Sequence, residues 1–203
     1  MSGIIADNVG RNSGLLKAPS AGGTWTKISS VTASSSATVD FTSGIDSTYN
    51  VYCFRFYNIH PETDNKTFSF NFSSDGGSNY NVTKTTSWFQ AYNNEADDNN
   101  TLAYVTGQDL AQGTGFQTLS EGTGNDNDQC YCGQLYLYDP SNTTFVKHFM
   151  ARTLSQNDDG QPAYVLDGLF AGYFNTTSAL TRFQFKFASG NIDSGTIKLY
   201  GVS

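Results

Sequence analysis

The chain has 203 residues, a formal net charge of −7 and only 14% charged side chains, against about 25% in ordinary soluble domains. That length suits one β domain with a short appendage. The eleven Lys and Arg residues are scattered singly, which excludes a nucleic-acid surface, and no apolar run nears the roughly 20 residues of a membrane helix.

Asn, Ser, Thr, Gly and Gln stand where charges usually would, and aromatics reach 14%. This is the profile of an all-β module with an uncharged, hydrogen-bonding exterior. Residues 1–23 differ from the rest. Ile4-Ile5 and Leu15-Leu16 are apolar doublets set among polar and Gly residues and followed by Pro19-Ser-Ala-Gly-Gly23. Such a stretch builds no core of its own, so it is expected to be an extended arm docked on a partner. Ile4, Ile5, Leu15 and Leu16 would bury apolar surface there, and Arg11 and Lys17 would pair with carboxylates. The arm has neither the basic flank nor the apolar h-region of a secretion signal.

Strands are expected from Trp25 onward. Thr24–Ala33 and Ala37–Phe41 flank a Ser34-Ser35-Ser36 turn. In Tyr49–Ile59, Tyr52, Phe54 and Phe56 alternate with Val51, Cys53 and Arg55, which predicts a central strand with an aromatic face. Thr67–Ser73 repeats the pattern with Phe68, Phe70 and Phe72, before the tight-turn signal Asp75-Gly76-Gly77. Asn81–Tyr92 carries Trp88 and Phe89, and Leu102–Thr106 and Gly115–Leu119 read as short strands. Polar loops at Asn93–Asn100 and Glu121–Gln129 punctuate this middle region. Further strands are expected at Cys130–Tyr138, Thr144–Leu154 and Tyr164–Asn175.

The last stretch, Arg182–Gly201, aligns Phe183, Phe185 and Phe187 along one strand face and Ile197 and Leu199 in the same way along the next, giving one apolar face. With GNIDSG between them it reads as a closing β-hairpin. Gly133-Gln-Leu-Tyr-Leu-Tyr138 echoes Gly195-Thr-Ile-Lys-Leu-Tyr200, suggesting equivalent places in one sheet system. About nine or ten strands at this spacing predict a two-sheet antiparallel β-sandwich, jelly-roll-like, over residues 24–203.

Chemistry is sparse. Cys53, Cys130 and Cys132 form an odd set with no disulfide framework, and zinc would need about four ligands; free thiols are expected. Glu62, Glu95 and Glu121 all fall in loops, and neither His60 nor His148 adjoins a nucleophile motif, so the residues predict no enzyme. Asn125-Asp126-Asn127-Asp128 lacks the Gly and distal Glu of a calcium loop and reads as an acidic turn, as do Glu95–Asp98 and Asp158–Gly160. No cofactor or metal is expected. Tyr80, Tyr92 and Tyr104 lie near the loop-rich middle and could stack on sugars, whereas Trp88 is expected in the core.

The runs WTKISSVTASSSATVDFTSGIDSTYNVYCFRFYNIHP, FNFSSDGGSNYNVT, FAGYFNTTSAL and SGNIDSGTIKLYG resemble a family of small virion proteins of marine tailed bacteriophages, over Trp25–Gly201. The opening SGIIADNVGRNSGLLKA is similar to arms found on several phage structural proteins with otherwise different bodies. The resemblance implies a β fold and a non-enzymatic structural protein, made in the host cytoplasm and exposed on the released particle. Other capsid or tail proteins would be its partners, through the arm, and it supplies no catalytic residues. By analogy with phage fibres and head decorations, a homo-oligomer, such as a trimer, is expected. The alternative is a receptor-recognition module that binds a host-surface glycan through the tyrosines. A glycan hydrolase is a third reading.

Overall fold

The computed structural model describes residues 24–157 and 162–203. The expected docking residues Ile4, Ile5, Arg11, Leu15, Leu16 and Lys17, and the acidic turn Asp158–Gly160, lie outside the described residues. Among those described there are twelve strands and no helix. They are β1 (Trp25–Ser36), β2 (Val39–Phe41), β3 (Val51–Pro61), β4 (Phe68–Ser73), β5 (Lys84–Asn94) and β6 (Asn100–Tyr104). After them come β7 (Gln117–Thr118), β8 (Tyr131–Tyr138), β9 (Lys147–Asn157), β10 (Tyr164–Phe174), β11 (Arg182–Phe187) and β12 (Ile192–Val202).

The strands form two antiparallel sheets, ordered β1-β12-β3-β8-β9-β10-β5-β6 and β2-β11-β4-β7. The pairing has a simple logic. The first four strands pair in reverse order with β12, β11, β8 and β7, as in one long double hairpin. That hairpin is then rolled so that β12 meets β3 and β11 meets β4. This is the jelly-roll arrangement of two four-stranded sheets. The extra strands β9, β10, β5 and β6 continue the larger sheet beyond the jelly roll.

The predicted closing hairpin is not formed. β11 pairs with β2 and β4 in the smaller sheet, while β12 pairs with β1 and β3 in the larger one. Two strands that each bury one face can meet side by side or face to face, and face to face encloses both faces at once. Strand centrality and the repeated motif fare better. β3 lies between β12 and β8, so the two G-x-[Leu/Ile]-x-Leu-Tyr strands flank it on either side, with Tyr136 and Tyr200 both opposite Cys53.

The core is three rows of rings. Tyr52, Phe54 and Phe56 point inward from β3 and meet Phe68, Phe70 and Phe72 of β4 and Phe183, Phe185 and Phe187 of β11, all at most 2% exposed. Trp88 is also fully buried, stacked on Phe170 at 4.6 Å. On the outer side of β4, the buried Asn71 amide donates to the carbonyls of Tyr80, Thr114 and Gly115, which ties two loops over the polar outer face of the strand.

The outer face of the larger sheet is capped differently. The Arg55 guanidinium lies 4.1 Å from the Trp25 ring and 5.6 Å from Tyr200, a cation–π stack with Cys53 buried in the same strand. Burial pushes the Cys53 thiol up to about 12. All three cysteines are free. Farther along this face Arg152 and Asp167 form a bidentate pair, and Phe89, Leu102, Met150 and Val165 are exposed.

Candidate functional site

The inner face of the sheet extension is not aromatic throughout. Along β5, the inward positions shared with Trp88 include Lys84, Thr86, Gln90 and Asn94; along β9 they include Thr153, Ser155 and Asn157, all buried. Burying polar groups is costly unless they are hydrogen-bonded, and the segment between β6 and β8 supplies partners. Thr86 donates to Gln117 Oε1, Thr153 donates to the carbonyl of Leu119, and the Lys84 ammonium donates to the carbonyls of Val82 and Gly115. This segment therefore stands in for the missing part of the smaller sheet.

Where that cover ends, a cavity of about 510 Å³ opens, within the range of small-ligand sites. Its aromatic wall is Tyr92 of β5 and Tyr164 of β10, with ring centroids 5.8 Å apart and planes at 52°. Gln90 and Glu121 line one side and are joined, since Gln90 Nε2 donates to Glu121 Oε2 at 2.8 Å. The β5–β6 turn forms another side. There Asn94 Nδ2 donates to Asp98 Oδ1 at 2.7 Å, and Asn94 Oδ1 accepts from the backbone N–H groups of Asp98 and Asn99. The Tyr92 hydroxyl donates to Asn99 Oδ1 at 3.1 Å, so the ring is held by the turn it faces.

Asn65 completes the rim. Its Oδ1 accepts from Asn157 Nδ2 at 2.8 Å, and both side chains lie over Gly122, where an added Cβ would come within 2.8 Å of Asn157 Nδ2. A side chain at 122 would push this pair off the rim. A second cavity of about 410 Å³ adjoins the first and shares Asn94 and Tyr164 with it. The second cavity is lined by Asn93, Gln156 and Val165 from the outward positions of the same strands, so the amide-rich groove on the inner face, with tyrosines in its wall, is the first cavity alone.

Of the sequence candidates, only Tyr92 is in this groove. Tyr104 sits opposite Phe89 on β6, on the outer face of the sheet, 53% exposed. Its hydroxyl donates to Asp109 Oδ2 at 2.7 Å, which raises its pKa. Tyr80 lies near Asp40, Asp75 and Arg182, its pKa raised chiefly by burial, and lines neither cavity. The three tyrosines do not share one surface, and the ring beside Tyr92 in the cavity wall is Tyr164. Sequence reading missed Tyr164, Gln90, Asn94 and Glu121 as site residues. One signal pointed to them: Gln90 and Asn94 share the parity of Trp88, so polar side chains recur on the buried face of a strand.

Among the described residues no three His, Cys, Asp or Glu side chains converge as a metal site. The Asn125–Asp128 segment is a turn. Gln129 N–H donates to the Asp126 carbonyl, His60 Nε2 contacts that same carbonyl at 3.2 Å, and Asn125 reaches Asp64 and the carbonyl of Glu62. No helix is long and apolar enough to cross a membrane among the described residues. No family model, curated protein or solved structure matches the chain.

Proposed function

We propose that this is a non-enzymatic surface module that binds a saccharide in the Tyr92–Tyr164 groove, displayed on a bacteriophage particle through residues 1–23. The observation that carries the binding half is the pairing of tyrosine rings with a rim of amides and carboxylates. Sugars present an apolar C–H face and a ring of hydroxyls, and Tyr rings with fixed hydrogen-bonding groups complement both. Gln90 is held by Glu121, Asn94 by Asp98 and the backbone N–H of Asn99, and the Asn99 side chain by the Tyr92 hydroxyl. A fixed rim loses little conformational freedom when a ligand docks.

Tyr92→Ala is expected to lower saccharide affinity at least about tenfold, the loss of roughly 1.4 kcal/mol from a central aromatic contact, with the fold intact because the ring is only half-buried. Glycan-array screening of the whole chain, followed by calorimetry on the hits, measures it. An array blank for the wild-type protein would end the saccharide reading.

The virion half rests on the resemblance of Trp25–Gly201 and of the opening arm to phage structural proteins, and it accords with the jelly-roll topology, which recurs in viral and lectin domains alike. On this reading the partners are capsid or tail proteins, copies of the chain assemble into a homo-oligomer, and the groove faces the host glycan. Deleting residues 2–18 is expected to leave the thermal midpoint of the β domain unchanged while removing the protein from purified particles, as read by immunoblot. Normal incorporation of the truncated chain would rule out the docking arm.

A further inference from the structure

The charge of the groove is one-sided. Asp98 and Glu121 line the larger cavity and Glu95 and Asp128 the adjoining one, and no Lys, Arg or His lines either among the described residues. Each carboxylate of the larger cavity is half committed: Asp98 Oδ1 accepts from Asn94 and Glu121 Oε2 from Gln90, which leaves Asp98 Oδ2 and Glu121 Oε1 as acceptors. Gln90 adds a third. It is 5% exposed, it lines the cavity, and its Oε1 has no hydrogen-bond partner. A buried acceptor without a donor is costly to leave unmade, and a ligand that brings donors removes that cost.

We infer that the groove selects its saccharide by charge, taking sugars that carry hydroxyl and ammonium donors and turning away uronates and sialates. The inference rests on the saccharide reading above and adds the ligand class to it. A sugar hydroxyl can donate to the free carboxylate oxygens, and to Gln90 Oε1 once that closed-off amide turns toward the cavity. An ammonium at the 2-position of a hexosamine can do the same and gains Coulomb attraction from both carboxylates. A ligand carboxylate brings an acceptor where acceptors already abound, and meets like charge from Asp98 and Glu121, which are exposed and therefore repel it most at low salt.

The test uses the full chain and three tetrasaccharide probes: β-1,4-linked glucosamine with free amines, its N-acetylated neutral counterpart, and a uronate of equal length. Glycan-array spots of mixed neutral, amine and acidic sugars serve as the wider panel. The expected ranking is amine over neutral by about tenfold, as two carboxylates in a site of intermediate dielectric provide, with the uronate unbound. Added salt should weaken the amine probe and leave the neutral one unchanged. Glu121→Gln, nearly the same shape, should reduce the amine preference without abolishing neutral binding, and Asp98→Asn should act alike.

Equal affinity for amine and neutral probes, capture of the uronate, or an amine preference untouched by both substitutions would overturn the charge selection while leaving saccharide binding in place. A panel on which nothing binds would sink both readings together.

Discussion

Phe185→Ala is expected to destabilise the domain by about 3–5 kcal/mol, the range for deleting a buried aromatic ring. Phe185 is fully buried in β11, and its centroid lies within 6.3 Å of the rings of Phe41, Phe54, Phe56, Phe68, Phe70 and Phe183. Those rings come from both sheets, so the side chain is the point at which the sandwich halves interdigitate. The neighbours are themselves locked between strands and cannot collapse into the space. For a domain of this size each kcal/mol moves the thermal midpoint by roughly 2–4 °C, so a drop of about 6–20 °C should appear in a thermal scan. Phe145→Ala, at a ring 68% exposed, is the matched control and should stay within about 0.5 kcal/mol. A loss below about 1 kcal/mol at Phe185 would mean that the rings do not interlock as described.

This core was largely legible in advance. The period-two rows of Phe68, Phe70, Phe72 and Phe183, Phe185, Phe187 identify strands with one buried face; β11 is such a strand, whereas β4 is buried on both faces because loops cover its outer side. Periodicity carries no information about which strand lies alongside. β11 and β12, adjacent in sequence and joined by a turn-forming loop, went to opposite sheets. The expected Ser34–Ser36 turn is instead the end of β1, and the connection that follows, at Ala37-Thr38, leads to a strand in the other sheet. Pairing is decided by how the whole set of apolar faces can be enclosed, which no local window contains.

The groove was legible only in part for the same reason. Tyr92 was visible as an aromatic residue beside a polar loop. Gln90 and Asn94 come from the same strand, but Tyr164 comes from β10, Glu121 from the loop after β7 and Asn65 from the loop after β3. Their convergence follows from the strand extension β9-β10-β5-β6 and from the covering segment, neither of which the residue pattern reveals. Tyr104 shows the converse. Its register partner is Phe89, three positions from Tyr92, so the two tyrosines necessarily lie on opposite faces of the sheet.

Lys84 provides the clearest pH signature. Its side chain is fully buried, its ammonium donates to the carbonyls of Val82 and Gly115, and its backbone pairs with Gly113 in both directions. No carboxylate accompanies it among its hydrogen-bond partners, so burial alone drives its pKa from 10.5 down to about 8. The unfolded chain therefore holds this proton more tightly than the folded one. The Lys84 contribution to stability must rise with pH between about 8 and 10.5, by roughly 1.4 kcal/mol per unit and about 3 kcal/mol in all. Below pH 8 the destabilisation is constant.

Cys53 acts in the opposite sense. Its folded pKa is raised from 9.0 to about 12, so its contribution is complete below pH 9 and is lost as the pH climbs above that value. The burial-raised Cys130 thiol, at about 11, acts in the same sense, so the wild-type curve is expected to rise from pH 8 to 9 and then fall. Lys84→Met isolates the lysine, because Cys53 is common to both proteins and cancels in the difference. At pH 7 the substitution removes a buried charge but orphans two carbonyls, at about 1–3 kcal/mol, so the two proteins should lie within about 1–2 kcal/mol of each other. Denaturant titrations at pH 7, 8, 9 and 10 should show wild type gaining on the variant steadily above pH 8, and a flat difference would mean that the ammonium is solvated. The segment that Lys84 anchors at Gly113 and Gly115 continues through Gln117 to Glu121. The same buried charge that costs stability at neutral pH thus fixes the strand cover from which a carboxylate of the groove is presented.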